Sequence, residues 1–462
     1  MFSSLYKVQI NWIVFFITVL LVRLLFPTMS WYSYFAVVIS LHQFFLLFYS
    51  LNFIIPIRYI SGMLMCMQML IGPVLAYNGI DKYQPDIYQM KIPEAEYFQY
   101  IIPAVSLFIL GLHFKAGKLQ GEVLDFKSIN VYANENSYIA YIFIGIGFIA
   151  SVISEVFLTS GVRFIFYLIS NFKFIGAFLI IFSTNKLKIL PLILVVASII
   201  SSSLLGGLFH DLLTWLILLG AAFAIRYKPS SFFKVIFLVS FILLTIIIQQ
   251  LKSGYRSAIT SNRKEEGLVT FTETYEQSKS SNELFDLPTL AKSSVRINQG
   301  FIITNIMKKV PDRVPFSNGS QLKQILEAAF LPRILAPDKL AAGDQEIFTK
   351  YSGIQLSRGT TMALSSVGDA YLNFGILGGS IFMFLLGLLY NVVLKGFYKY
   401  SINLPILLLF TTIVFYFPIR PDSELQTNLG HLVKSCFLIF IIFTFWKQKF
   451  QLKVNSSQLA PS

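Results

Sequence analysis

The residues best suited to chemistry in this sequence are arginines that stand beside long apolar runs and one aspartate that leads into such a run. Arg256 lies in Ser-Gly-Tyr-Arg-Ser at 253–257, directly after an apolar stretch, which holds its guanidinium and the neighbouring Tyr255 at the depth of lipid phosphates. Arginine suits that position because its fixed fork grips phosphate oxygens bidentately and never loses its charge. The plainer reading of Arg256 is a snorkelling anchor that meets ordinary headgroups. Arg263, Arg296, Arg313, Arg333 and Arg358 follow within residues 252–365, where fifteen basic side chains face eleven acidic ones. Such a basic surface beside a membrane suits an anionic ligand. For Arg296, Arg313, Arg333 and Arg358 taken singly, a solvated surface arginine is the ordinary reading.

Asp369 opens Gly-Asp-Ala-Tyr-Leu-Asn-Phe-Gly-Ile-Leu-Gly-Gly at 368–379, where a polar stretch leads into an apolar one. A carboxylate there can serve as a general base toward a hydroxyl acceptor. It can equally be a helix N-cap, which aspartate favours for backbone reasons. Gly375, Gly378 and Gly379 would admit a close neighbour, either another helix or a lipid tail. Further ionisable residues, Arg23, Glu155, Arg163, Lys173, His210, Asp211, Arg420 and Lys434, lie in or at the ends of apolar runs. Charge in hydrocarbon is costly and marks a partner or a wet cavity, so the set predicts a polar cavity open to one face. Arg23 and Arg420 also fit plain interfacial positions, and Glu155 fits a structural pair with Arg163.

The elements that must hold these residues are membrane helices. The 462 residues are 55% hydrophobic and only 13% charged, with mean hydropathy +0.67, more apolar surface than one water-soluble core can hide. Runs of about 20 apolar residues fall at residues 9–25, 32–51, 62–77, 98–113, 138–158, 163–183, 189–205, 208–225, 235–251, 371–394, 404–417 and 432–446. The reading is an all-α polytopic membrane protein of about twelve spans. Asn171 and Lys173 fall mid-run in 163–183, so an interfacial turn plus a shorter helix competes there with a single span. Fifteen basic residues lie in the short segments of one face against seven at the other, which puts both termini in the cytoplasm and residues 252–365 outside. The organisation predicted is a bundle at 1–251, a large outer loop at 252–365, further spans at 366–446 and a cytoplasmic tail at 447–462. Within the loop, residues 289–309 and 321–331 carry helical spacing, and Pro311, Pro315, Pro332 and Pro337 punctuate what lies between.

Several function classes drop out. The net charge of +14 resides mostly in short inter-span segments, where topology accounts for it, so nucleic acid is not an expected partner. Cys66 and Cys436 sit in apolar stretches and give neither a disulfide framework nor a metal site. No Walker A loop, HExxH, Cys/His cluster or GxSxG occurs, and none of His42, His113, His210 and His431 lies in the large loop. No cofactor or metal is expected. No cleavable leader is expected either, because the first apolar run lacks a small-residue cleavage site.

Two passages resemble the Wzy family, the bacterial O-antigen or capsule repeat-unit polymerases. Ser253-Gly254-Tyr255-Arg256-Ser257 is similar to the Gly/Ser-Arg motif at which that family enters its large outer loop. Leu331-Pro332-Arg333 through Lys339, with residues 368–379, resembles its Pro-Arg element and its Asn-Phe-Gly-x-x-Gly approach to the next helix. The resemblance implies a metal-independent glycosyltransferase with a GT-C-like fold in the bacterial inner membrane, its active face periplasmic or extracellular. It would move a glycan from undecaprenyl diphosphate to the next lipid-linked repeat unit. By the same resemblance Arg256 and Arg333 bind the donor diphosphate, Arg296 shares the role, and a chain-length-regulating protein is an expected partner. Tyr255, Arg263, Arg313, Arg358, Asn373 and Arg420 complete the expected substrate-binding set. Asp369 as base is an inference from its residue type and place. An O-antigen ligase shares the plan but relies on a histidine in the outer loop, which this loop lacks. A lipid-linked oligosaccharide flippase usually shows repeated halves with short loops, unlike the single asymmetric loop here.

Overall fold

The computed structural model of the protein describes residues 8–115, 126–156, 160–184, 189–206, 209–260, 295, 297–331, 339–340, 343–356 and 361–451. For residues 160–161, 204–206, 209–210 and 249–260 that description covers the backbone alone. Regular structure among the described residues is helical throughout. The helices are α1 (Trp12–Leu25), α2 (Trp31–Ser50), α3 (Ile57–Cys66), α4 (Glu94–Leu112), α5 (Phe126–Glu135), α6 (Ser137–Val156), α7 (Ser160–Ser170), α8 (Phe172–Phe182), α9 (Leu190–Gly206), α10 (Phe209–Tyr227) and α11 (Ser231–Thr260). After the large loop begins come α12 (Gly300–Lys309), α13 (Ser320–Phe330), α14 (Gln345–Ser352), α15 (Ser365–Ser401), α16 (Leu407–Val414) and α17 (Leu425–Phe450).

Among the described residues eight helical segments are long and apolar enough to cross a membrane, which makes this a multi-pass membrane protein. The shorter apolar helices at Trp12–Leu25 and Leu190–Ser203 fall below that length. The run at 404–417, predicted as one span, holds only the eight-residue α16, every residue of it buried. At about 1.5 Å per residue α16 covers less than half the hydrocarbon thickness. The alternatives at 163–183 both have a part in the outcome: α7 and α8 are separate helices meeting at Asn171, yet residues 162–182 together have the length of one span. Glu155 and Arg163 are both exposed and form no ion pair, against the pairing predicted for them. The helical candidate at 321–331 is α13, and α12 is the last ten residues of 289–309.

Backbone chemistry explains the irregular stretch after α3. The chain runs on from Cys66 through π-helical turns at Met67–Ile71 and Ala76–Ile80. Pro73 has no N–H to give to the carbonyl four residues back, and that carbonyl, of Met69, accepts instead from the Tyr97 hydroxyl at 2.9 Å. The Gln68 carbonyl accepts from the Gln299 amide at 3.1 Å. A proline inside an apolar helix thereby creates the acceptors to which loop and neighbouring helix attach.

Helix α4 lies against α15 along most of its length, and glycines permit the contact. A Cβ on Gly111 would meet the Phe384 carbonyl oxygen at 2.2 Å, and one on Gly387 would meet that of Phe108 at 2.2 Å. Close backbone approach through small residues is how helices associate where lipid removes the hydrophobic incentive. At the far end of this pair Arg58, fully buried, donates to the Leu112 carbonyl and to Asn391 Oδ1 at 2.8 Å. Asn391 and Lys395 donate in turn to the Phe114 carbonyl at 2.7 and 3.0 Å. These cations and amides satisfy the carbonyls that the C-terminus of α4 leaves over. Aromatic stacking closes the core elsewhere: Phe174 on Trp215 at 3.6 Å and Trp215 on Tyr416 at 5.2 Å join α8, α10 and the segment after α16.

Candidate functional site

Asp369 is not the N-cap of its helix. Leu364 holds the cap position of α15, and Ser365 Oγ accepts from the Gly368 amide at 3.2 Å, so Asp369 stands one turn inside. It is 4% exposed. Gln321, at the start of α13, donates from Nε2 to Asp369 Oδ1 at 3.1 Å. The Leu425 amide, first in α17, is also directed at the carboxylate, where the helix N-terminus favours negative charge.

Asn373 fixes that arrangement from one turn below. Its Nδ2 donates to the Asp369 carbonyl and to Gln321 Oε1, both at 2.8 Å. Its Oδ1 accepts from Ser317 Oγ at 2.5 Å and from the Leu322 amide at 3.2 Å. Gln321 is therefore held at both ends of its carboxamide, which sets which atom faces Asp369. The loop helix α13 is thus hydrogen-bonded to α15 as well as packed along α17.

Helix α15 is in fact two helices. Gly375 has φ 67° and ψ −160°, a conformation open essentially to glycine alone. The break strands carbonyls at the end of the first half, and that of Leu372 accepts from the Ser317 amide at 2.9 Å. Gly378 and Gly379 turn toward Phe374 and Ala370 of the same segment. Of the three glycines predicted to admit a separate helix or a lipid tail, Gly375 makes this bend and Gly379 also admits α4, whose Tyr100 hydroxyl would stand 3.1 Å from a Cβ there, while the tightest helix crossing falls at Gly387.

Residues 365–374 so present Asp369 to a small cavity of mixed polar and apolar lining, about 30 Å³, room for one or two waters. Asp344, Glu424, Gln321 and Gln426 supply its polar wall, with Ile347, Phe348 and Met362 among its apolar neighbours. Glu424 takes the Gly343 amide on both carboxylate oxygens, at 2.9 and 3.1 Å, and Thr427 Oγ1 at 3.3 Å. Asp344 caps α14 through the Glu346 and Ile347 amides at 2.9 and 3.1 Å. The Gln426 carboxamide donates to the Leu340 carbonyl at 2.9 Å. A buried carboxylate held by one carboxamide can take a proton from a hydroxyl, and the neighbouring side chains can orient that hydroxyl through further hydrogen bonds.

Burial raises the Glu424 carboxyl above its ordinary value of 4.5, opposed by the Gly343 and Thr427 hydrogen bonds and aided by nearby Asp344. With the folded value raised, the folded protein binds more protons than the unfolded chain between pH 4.5 and that raised value. Stability therefore falls as pH rises through that window. Glu424→Gln, which cannot ionise, is expected to flatten this part of a plot of melting temperature against pH, measured in detergent. An unchanged slope would remove Glu424 as its source.

Of the residues predicted for the site, the structure brings Asp369 and Asn373 together. Arg420 stands apart from the cavity wall, its Nη1 3.5 Å from Asp211 Oδ1. Arg313 is exposed in the turn after α12. Arg263, Arg296, Arg333 and Arg358 lie outside the described residues, and of Tyr255 and Arg256 the helical backbone alone is described. That backbone belongs to α11, which continues to Thr260, so the Ser-Gly-Tyr-Arg-Ser segment is helical. Arg23 donates to the Met29 carbonyl at 2.8 Å with its guanidinium over Trp31. Gln321, Asp344, Glu424 and Gln426 were not predicted. The sequence carries a trace of two: Gln321 opens a predicted loop helix, and Glu424 precedes the last apolar run.

One family model, described as a domain of unknown function (DUF8712), matches residues 123–403, more than half of the chain. No curated protein matches the chain, and no solved structure does.

Proposed function

We propose that this chain, which belongs to the DUF8712 family, is a polysaccharide polymerase of the outer leaflet, working on undecaprenyl-diphosphate-linked oligosaccharides. The observation that carries the reading is Asp369, a buried carboxylate held by Gln321 ahead of a helix break, facing a small cavity that the loop helices α13 and α14 help to line. In the proposed reaction a hydroxyl of the incoming repeat unit attacks the anomeric carbon of the donor glycan. The bond from that carbon to the diphosphate oxygen breaks, undecaprenyl diphosphate leaves with the electron pair, and the hydroxyl proton passes to Asp369. The base raises the nucleophilicity of a weak acceptor, and a cation near the diphosphate stabilises the departing charge. In the resemblance to the Wzy polymerases that second role falls to Arg256 and Arg333.

The test is the length distribution of lipid-linked glycan in cells with the protein, without it, and with Arg256→Ala or Arg333→Ala at matched membrane levels. A ladder of repeats that collapses to single outer-leaflet units without the protein supports polymerase. Failure of single units to reach the outer leaflet makes the protein a flippase. Ladders unchanged in both variants would remove these two arginines from the site.

A further inference from the structure

A second constellation lies apart from the Asp369 cavity, around His431 near the start of α17. The imidazole is 1% exposed. Its Nε2 is 2.7 Å from the Ile413 carbonyl, which can only accept, so Nε2 carries a hydrogen. Nδ1 is buried and has no hydrogen-bond partner among the described residues. A buried acceptor without a donor is costly, which makes the position informative.

The ring is flanked by Phe417 at 5.0 Å and Phe164 at 6.0 Å between centroids. Each of those phenyl rings carries a cation on its other contact: Arg420 Cζ lies 4.8 Å from the Phe417 centroid and Lys434 Nζ 4.6 Å from that of Phe164. Arg420 is mostly covered, 13% exposed, and pairs with Asp211, itself 47% exposed. Lys434 is exposed, three residues beyond His431 on a helix that crosses the membrane. Arg420 and Lys434 together bring two positive charges to this cluster. The order runs from an exposed lysine on the outside of a membrane helix, past aromatic rings, to a buried imidazole and arginine. That order suits a ligand that arrives sideways from the bilayer with anionic oxygens at its head and an apolar tail.

We propose that Lys434, Arg420 and His431 form a binding site for the phosphate head of a membrane lipid. Lys434 meets the phosphate first, and Arg420 grips it bidentately, exchanging part of its hold on Asp211. His431 Nδ1 accepts from a P–OH or, once protonated, donates to a phosphate oxygen. The choice of an undecaprenyl lipid as the probe rests on the polymerase reading; the phosphate site, which lies apart from the Asp369 cavity, does not.

The experiment is direct binding to the purified full-length protein in detergent, using undecaprenyl diphosphate, undecaprenol and inorganic diphosphate as probes. Losing one charge-assisted contact is expected to weaken undecaprenyl diphosphate roughly tenfold in Lys434→Gln and in Arg420→Gln. His431→Phe, which keeps the ring between Phe164 and Phe417, is expected to weaken it roughly fivefold. Undecaprenol should bind the variants and the parent alike. Lys434→Gln carries the most weight, because it removes the charge from an exposed side chain while keeping a polar group of similar length. Unchanged affinity for undecaprenyl diphosphate in Lys434→Gln and His431→Phe overturns the site. Inorganic diphosphate competing as well as the lipid overturns the lipid source. Weakened binding in the variants, together with no ladder in cells that carry the parent protein, keeps this site and sinks the polymerase reading. A normal ladder from variants that bind normally does the reverse.

Discussion

On the proposed polymerase reading, Asp369→Asn is expected to abolish chain extension, leaving single lipid-linked units in place of a ladder. The loss should reach roughly 10²–10⁴-fold in transfer rate, the usual contribution of a positioned general base. The substitution is nearly isosteric, but Gln321 now offers Nε2 to a group that can itself be an N–H donor. Rotating the Gln321 carboxamide would give the new side-chain amide an acceptor at the expense of the 2.8 Å bond from Asn373 Nδ2. One exchanged hydrogen bond costs about 1 kcal/mol, too little to unfold a protein this size. The variant should therefore stay in the membrane at parental level and keep its melting temperature within a few degrees. Loss of the ladder at matched level assigns the effect to the carboxylate; a normal ladder removes Asp369 from the reaction.

The reach of the sequence differs between element and site for a physical reason. Apolar runs of span length are a local property, so most membrane helices were legible, as was Asp369 where a polar stretch meets one of them. Composition does not report where an apolar run turns. Residues 404–417 read as a span by hydropathy but hold the short α16, because the segment is buried within protein and need not cross lipid on its own. Gln321 and Glu424 were illegible as site residues because their roles arise from docking α13 and α14 over α15 and α17, contacts between positions 48 and 81 residues apart in sequence. Pro73 is an intermediate case. A proline in an apolar run announces a freed carbonyl, and only the fold names Tyr97 as its partner. Arg58 is legible in the sequence only as a positive charge between apolar runs, while in the fold it binds the carbonyl end of α4. The arginines of the large loop are legible as charge alone.

The close crossing of α4 and α15 should be the least forgiving feature of the fold. A methyl at position 387 would stand 2.2 Å from the Phe108 carbonyl oxygen and 2.9 Å from the Leu112 amide nitrogen, both backbone atoms that cannot rotate away. The helices would have to part by about 1 Å or more, and overpacking of that kind costs about 1–3 kcal/mol for a methyl and more for a branched side chain. Parting them also withdraws Tyr100, whose hydroxyl donates to the Val367 carbonyl at 2.6 Å beside Asp369. Gly387→Val is therefore expected to lose both melting temperature and chain extension, unlike Asp369→Asn, which loses extension alone. Gly396 supplies the control on the same helix, since a Cβ there meets nothing within 4 Å. Gly396→Ala should be neutral or stabilising by about 0.5–1 kcal/mol through lower backbone entropy in the unfolded chain. Thermal unfolding of the three proteins in one detergent decides it. If Gly387→Val melts with the parent, α4 and α15 do not touch backbone to backbone, and the bend at Gly375 loses the packing that aims Asp369 at its cavity.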